Sequence, residues 1–137
     1  MLAGGVTRAF TWSASGNVTL DSLGGSAMTL AYNAADRLVR VSAGGVPLVD
    51  YVYAATGQRA VKTTPTATTH YLYDPGGALY AETDGAGTVL REYITLGGAT
   101  IAIIDAGGMA FIHNDHLGTP QGSSGDTILI SPQTSLN

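Results

Sequence analysis

Three stretches of this 137-residue chain, and its scattered serines, carry residue types that do chemistry. Asp74-Pro75-Gly76-Gly77, inside YLYDPGG (71–77), sets a carboxylate before a stiff Asp-Pro bond, as an acid acting on a peptide bond would require. His113, Asp115 and His116 place two imidazoles and a carboxylate within four residues, and both types ligate metals. Trp12, Tyr32, Tyr53 and Tyr73 recur at one offset and form a row on which sugar rings could stack. Serine pairs with a neighbouring glycine or alanine in SAS (13–15) and SSG (123–125).

Each has a plainer reading. Aspartate satisfies nearby backbone groups, proline presets φ near −65° and glycine accepts positive φ, so Asp74–Gly77 also spells a chain reversal. An aspartate dyad needs a second carboxylate close by, and the spacing supplies none. On a strand, His113 and Asp115 share one face while His116 points to the other, although 114–118 looks turn-like and His70 is the only other histidine. The serines have no GxSxG context and no histidine near in sequence, so no activated nucleophile is expected. GGS (24–26) and DGAG (84–87) do not make a phosphate loop opening a helix. The aromatic row reads first as packing along one sheet face. The expectation is no catalytic residue, no cofactor and no metal, with His113, Asp115 and His116 as the weak metal candidates.

The elements that position these residues repeat. Segments starting at Phe10, Leu30, Tyr51, Tyr71, Glu92 and Phe111 align, with starts 20, 21, 20, 21 and 19 residues apart. Six residues after the first five starts stand Gly16, Asp36, Gly57, Gly77 and Gly98, types that tolerate positive φ. A second breaker follows near the fourteenth residue: Gly24-Gly25, Gly44-Gly45, Pro65, Asp84-Gly85 and Gly107-Gly108. Between breakers lie runs of about four to eight residues rich in Val, Ile, Thr, Tyr and Leu, such as LVRV (38–41) and TIAII (100–104). Each unit is therefore a strand, a turn, a strand and a second turn. The fold class is all-β: an antiparallel hairpin meander of about ten to twelve strands, coiled because a longer flat sheet is rare, with Tyr, Leu and Val on its inner face.

Composition removes other function classes. The chain is 45% hydrophobic and 12% charged with net charge −4, and lacks the basic stripe that nucleic-acid binding needs. It has no cysteine, hence no disulfide framework and no thiolate zinc site. Neither a secretory signal nor about 18 consecutive apolar residues for a membrane helix is visible, and the localisation stays open.

Tyr-Asx followed by a turn and a strand resembles the YD repeat of Rhs proteins and teneurins. AYNAADRLVRV (31–41) and YLYDPGGALYAETDGAGTVLREYI (71–94) are the closest units. From Tyr51 onward the order YVYAATGQRAVKT, YLYDPGG, GTVLREYITLGG, FIHNDHLGTPQ is similar to the start of the Rhs repeat-associated core, and HNDHLGTP (113–120) is the most specific piece. The resemblance covers 10–121 and implies a hollow shell of β-hairpins that encloses a C-terminal toxin for interbacterial competition. In that family the repeats are wall, and the self-cleaving aspartate motif lies further downstream.

The expected organisation is a lead-in (1–9), the repeat region (10–121) and a non-repeat tail (122–137). The tail loses tyrosine and register, the pattern expected of a truncated or frame-shifted copy, a displaced gene tip or a cloning boundary. Expected partners are neighbouring repeats or an enclosed toxin segment, with self-association through uncovered strand edges. The rival functions are a carbohydrate- or protein-binding repeat module and, further off, a small metal-dependent enzyme.

Overall fold

The structure is a computed structural model that describes residues 7–115 and 120–126. His116 and most of the HLGTP string lie outside the described residues. Twelve strands follow one another in sheet order as in sequence order: β1 (Arg8–Trp12), β2 (Val18–Leu23), β3 (Ser26–Tyr32), β4 (Leu38–Ala43), β5 (Val46–Tyr53), β6 (Arg59–Thr63), β7 (Thr68–Tyr73), β8 (Leu79–Asp84), β9 (Val89–Leu96), β10 (Ala99–Asp105), β11 (Gly108–Asn114) and β12 (Pro120–Asp126). The described residues contain no helix, so the all-β hairpin meander expected from the repeat is what forms. Two compact units divide the chain at Thr69/His70.

Two kinds of turn make the reversals. In Ser13–Asn17, Asn33–Arg37, Ala54–Gln58, Asp74–Ala78 and Asp84–Thr88 the first residue's N–H donates to the fifth's carbonyl, and the fourth's N–H donates back to the first's carbonyl, at 2.7–3.1 Å. The fourth residue is left-handed in all five: Gly16, Asp36, Gly57, Gly77 and Gly87, with φ between 54° and 89°. This is a type I turn closed by a left-handed residue and a bulge. Gly24-Gly25, Gly44-Gly45 and Gly97-Gly98 instead form two-residue loops in which both residues have positive φ, as a type I′ turn demands.

One register assignment is corrected by this. Gly98 is not the counterpart of Gly16, Gly57 and Gly77, because it is the second residue of a two-residue loop joining Leu96 to Ala99. Their counterpart in that part of the chain is Gly87, in the turn that Asp84 opens. The two loop kinds exchange places at β8, because Asp84-x-x-Gly87 repeats the chemistry of Asp74-x-x-Gly77 only ten residues later.

In the unit ending at Thr69, directly opposed pairs share a face. Phe10 opposes Asp21, Asp21 opposes Met28, Leu30 opposes Val41, and Val41 opposes Val49. That face continues through Tyr51 and Tyr53, while Thr11, Thr29, Arg40, Ser42 and Asp50 occupy the other. The expected apolar face exists, but nothing covers it among the described residues. Among the described residues the buried hydrophobic side chains are Ala81 and Ala102, and no large side chain is fully buried; Trp12 is 61% exposed and Leu96 70%. A core needs two packed layers, and these strands supply one.

Order comes instead from contacts between neighbours. Arg40 pairs with the directly opposed Asp50, Arg91 with the directly opposed Asp105, and Arg8 with Asp21 on the adjacent strand. Successive turns also touch. Asn17 Nδ2 donates to Asp36 Oδ1 at 2.7 Å, and the Arg37 guanidinium lies against Gly57 and 5.7 Å over the Tyr53 ring. The Tyr53 hydroxyl donates to the Leu38 carbonyl at 2.8 Å.

These contacts predict unequal costs for equal mutations. Gly16→Ala pays only the left-handed backbone penalty, about 1–2 kcal/mol, since nothing lies within 4 Å of the added Cβ. Gly57→Ala also displaces the Arg37 guanidinium, so its urea midpoint falls further. Hydrogen bonds from Arg8 and Arg40 hold the Asp21 and Asp50 carboxyls below the usual carboxylate range, and backbone N–H groups do the same for Asp84. Carboxyls lowered in the folded state stabilise it above the unfolded value, near pH 4, and that stability is lost as pH falls through the folded values. Urea midpoints should therefore hold steady from pH 7 to about pH 5 and drop below about pH 4, with a smaller drop in Asp50→Asn.

Candidate functional site

Asp74 is occupied by its own turn. Its N–H donates to the Ala78 carbonyl, and its Oδ1 accepts the Ala78 N–H, both at 2.9 Å. Sister positions do the same work with other residues. Asn33 Oδ1 accepts from Ala35 and Arg37, Ser13 Oγ accepts from Asn17, and Asp84 Oδ1 accepts from Ala86 and Thr88, at 2.8–3.1 Å. An amide, a hydroxyl and a carboxylate are interchangeable here, and Ala54 opens the same turn with no side-chain acceptor, so the position is not restricted to a titratable acid. This is how Ser and Asx residues satisfy backbone donors generally.

The candidate metal ligands are engaged singly. His113 Nε2 meets Ser124 Oγ at 2.8 Å across the β11–β12 pair, and Asp115 Oδ2 accepts from Gln121 Nε2 at 3.2 Å. His116 lies outside the described residues. Among the described residues no three His, Cys, Asp or Glu side chains come together as a metal site. Ser13 Oγ bonds Ser15 Oγ at 3.2 Å, a contact within the turn.

Trp12, Tyr32 and Tyr53 hold equivalent places, each the last paired residue before a bulged turn, opposite Val18, Leu38 and Arg59. The Trp12 ring stands 6.0 Å from Phe10, Arg8 lies 4.9 Å over Phe10, and Arg59 lies 4.2 Å over Tyr51. A shallow groove of about 640 Å³ beside β1–β3 is lined by Arg8, Asp21, Leu23 and Met28. Its two charged groups neutralise each other, which leaves no free acid or base there.

One polar cluster was not anticipated. The Tyr93 hydroxyl donates to Glu82 Oε1 at 2.5 Å, with Arg91 opposite Glu82. Burial, then the Glu82 bond, pushes the Tyr93 phenol above the ordinary tyrosine value. The register of β8 against β9, set by the Asp84–Thr88 turn and shifted at Glu82/Thr83, brings the three together. No sequence spacing announced it.

The acceptor reading makes Asp74 a sharp test. Asp74→Asn should keep the folded stability because Asn33 fills the same role, whereas Asp74→Ala should lose about 1 kcal/mol in urea unfolding. A loss as large in Asp74→Asn as in Asp74→Ala would mean that the ionised group itself is needed. In ultraviolet titration, Tyr93→Phe should remove the phenol that ionises at higher pH than a free tyrosine, leaving the others unchanged.

No protein-family model and no curated protein sequence matches this chain. Solved structures do match. The crystal structure of TcdB2-TccC3 superposes with a TM-score of 0.62 at 22% identity, over 85% of this chain and 7% of its own. TcdB2-TccC3-Cdc42 gives 0.61 at 21% identity over 88% and 7%. The Tc holotoxin pore of Photorhabdus luminescens, with a mutated TccC3, gives 0.59 at 19% identity over 85% and 7%. The chain thus spans about 7% of the length of the proteins it matches. The resemblance read from residues 10–121 is met at the level of fold: this chain has the repeated β-hairpin fold of a segment of the Tc toxin protein TcdB2-TccC3.

Proposed function

We propose that the chain is a non-catalytic stretch of wall in an Rhs-like β-shell, of the kind that encloses a C-terminal toxin segment in interbacterial competition. The observation that carries this reading is the single strand layer. Apart from the small Ala81 and Ala102, its hydrophobic side chains stay at least partly open, and no large one is fully buried. Such a sheet suits a partition with contents on one side and solvent on the other, and the groove described beside β1–β3 is shallow where a substrate pocket is usually enclosed. The fold shared with TcdB2-TccC3 supports the same reading, as does the likeness of residues 10–121 to the YD repeat. On this reading the turn acids, the serines and His113 are framework, and the partners are neighbouring repeats and the enclosed segment.

A chimaera tests it. Residues 7–115 replace the matching stretch of TcdB2-TccC3, and the C-terminal region is challenged with protease. Protection equal to that of the parent is the expected result. A chimaera that assembles at the parent's mass yet exposes its C-terminal region overturns the wall reading. The exposed Trp12 ring favours one second reading, a glycan-binding module. Specific retention on a glycan array, lost in Tyr53→Ala and Tyr73→Ala, would establish that reading instead.

A further inference from the structure

The unit ending at Thr69 carries five basic residues, Arg8, Arg37, Arg40, Arg59 and Lys62, and three acidic ones, Asp21, Asp36 and Asp50, a net charge of +2. That excess sits on one face. Asp36 and Arg37 are neighbours in a turn and cancel. Arg40 and Asp50 are directly opposed on the face that holds Thr29 and Ser42, and they pair. The other four belong to the apolar face. Arg8 lies over the Phe10 ring and pairs with Asp21, which opposes Phe10. Lys62 opposes Tyr51, while Arg59 opposes Tyr53 and lies over the Tyr51 ring. With Arg8 and Asp21 joined, the whole excess is Arg59 and Lys62, both on β6.

The far end of the same face is apolar. Phe10, Trp12 and Met28 are exposed there, and Leu30, Val41 and Val49 lead from them toward Tyr51. β1 and β6 are five strand spacings apart, about 24 Å at about 4.8 Å each. The face is therefore graded, cationic at β6 and aromatic at β1.

This placing discriminates between ligand classes. β6 is an interior strand, so its cations stand within the face, and an acyl layer laid on it would take up two charges with no anion beside them. Two rings on which a base would stack, Phe10 and Tyr51, already carry a guanidinium, and an excess of two charges neutralises few phosphates. A polypeptide can present carboxylates and apolar side chains on one surface at matching positions.

We propose that this face takes an acidic amphipathic polypeptide segment, laid across the strands with its carboxylates on Arg59 and Lys62 and its apolar side chains toward Met28, Phe10 and Trp12. An extended segment of about eight residues, at about 3.3 Å each, spans the distance. Apolar burial supplies the attraction, and the charges set the direction in which the segment lies. The inference stands apart from the wall reading: the chimaera can fail while the face still takes such a segment, and the reverse.

The probe is a synthetic peptide of about eight residues with glutamates in its first half and leucine and phenylalanine in its second, titrated into the full chain. Trp12 is the only tryptophan, so its emission reports from the end of the face away from the cations. A saturable blue shift is expected, weakened when NaCl rises from about 20 mM to about 500 mM. Lys62→Gln and Arg59→Gln should each raise the Kd about two- to fivefold. Arg40→Gln removes the same charge from the opposite face and should leave the Kd unchanged, with all three variants keeping the wild-type circular dichroism spectrum. Equal binding of a peptide with lysine in place of glutamate overturns the proposal, and needs no variant to fold. So does a Kd raised as much by Arg40→Gln as by Lys62→Gln, or the lack of any shift with the acidic peptide. Tighter binding to phosphatidylglycerol vesicles or to a thymidine oligonucleotide also overturns it, in favour of a membrane or a nucleic acid.

Discussion

The described residues of each unit rest on a backbone ladder whose large hydrophobic side chains are none of them fully buried. In most domains side-chain burial is the dominant favourable term and the ladder organises it. Here two alanines are the whole of the buried hydrophobic set among the described residues. The turns therefore carry an unusual share of the structural work. Each bulged turn fixes a register by two backbone bonds and, in four of five cases, by a side-chain oxygen that accepts from the fifth residue's N–H. A one-residue slip would move the apolar set to the opposite face.

The same constraint bears on the residues that look chemical. A carboxylate at the first turn position is spent on backbone donors, and an arginine beside a strand carboxylate is spent on it. The groove beside β1–β3 is shallow, and its charged lining residues Arg8 and Asp21 pair with each other. Catalysis needs groups held together in a site closed to solvent. Tyr93, Glu82 and Arg91 come nearest, and they tie β8 to β9 by side chains where the ladder has a bulge.

Much of this was legible in the residues. The twenty-residue spacing and the short Val, Ile, Thr and Tyr runs specify strands and turns because no other element fits between the breakers. The spacing hides the exchange of loop kinds at β8, because a unit starting at Glu92 puts Gly98 in step with Gly16, Gly57 and Gly77. Aligning on the acceptor and the left-handed residue three places later would have found Asp84 and Gly87. The absence of a core was not legible at all. A hydrophobic content of 45% is what a packed domain has, and composition does not say whether a second layer exists. The Tyr93–Glu82 contact was hidden for a similar reason, because a bulge decides which side chains meet.

The exchange at β8 has a consequence for how such a chain can change length. Before β8, bulged loops and two-residue or short loops alternate from one end of the strands to the other. At Asp84 a second bulged loop follows directly on the one at Asp74, and the next two joints, Gly97-Gly98 and Ala106-Gly107, are both two-residue loops. Losing or duplicating about twenty residues between Trp12 and Tyr53 joins like to like and keeps every strand's direction and face. A crossover that joins material from before β8 to material from after it does not, because the strand then meets the wrong kind of loop. The stretch from Asp74 to Asp84, one turn and one strand, is thus where the twenty-residue interchange of the N-terminal repeats stops matching loop to loop.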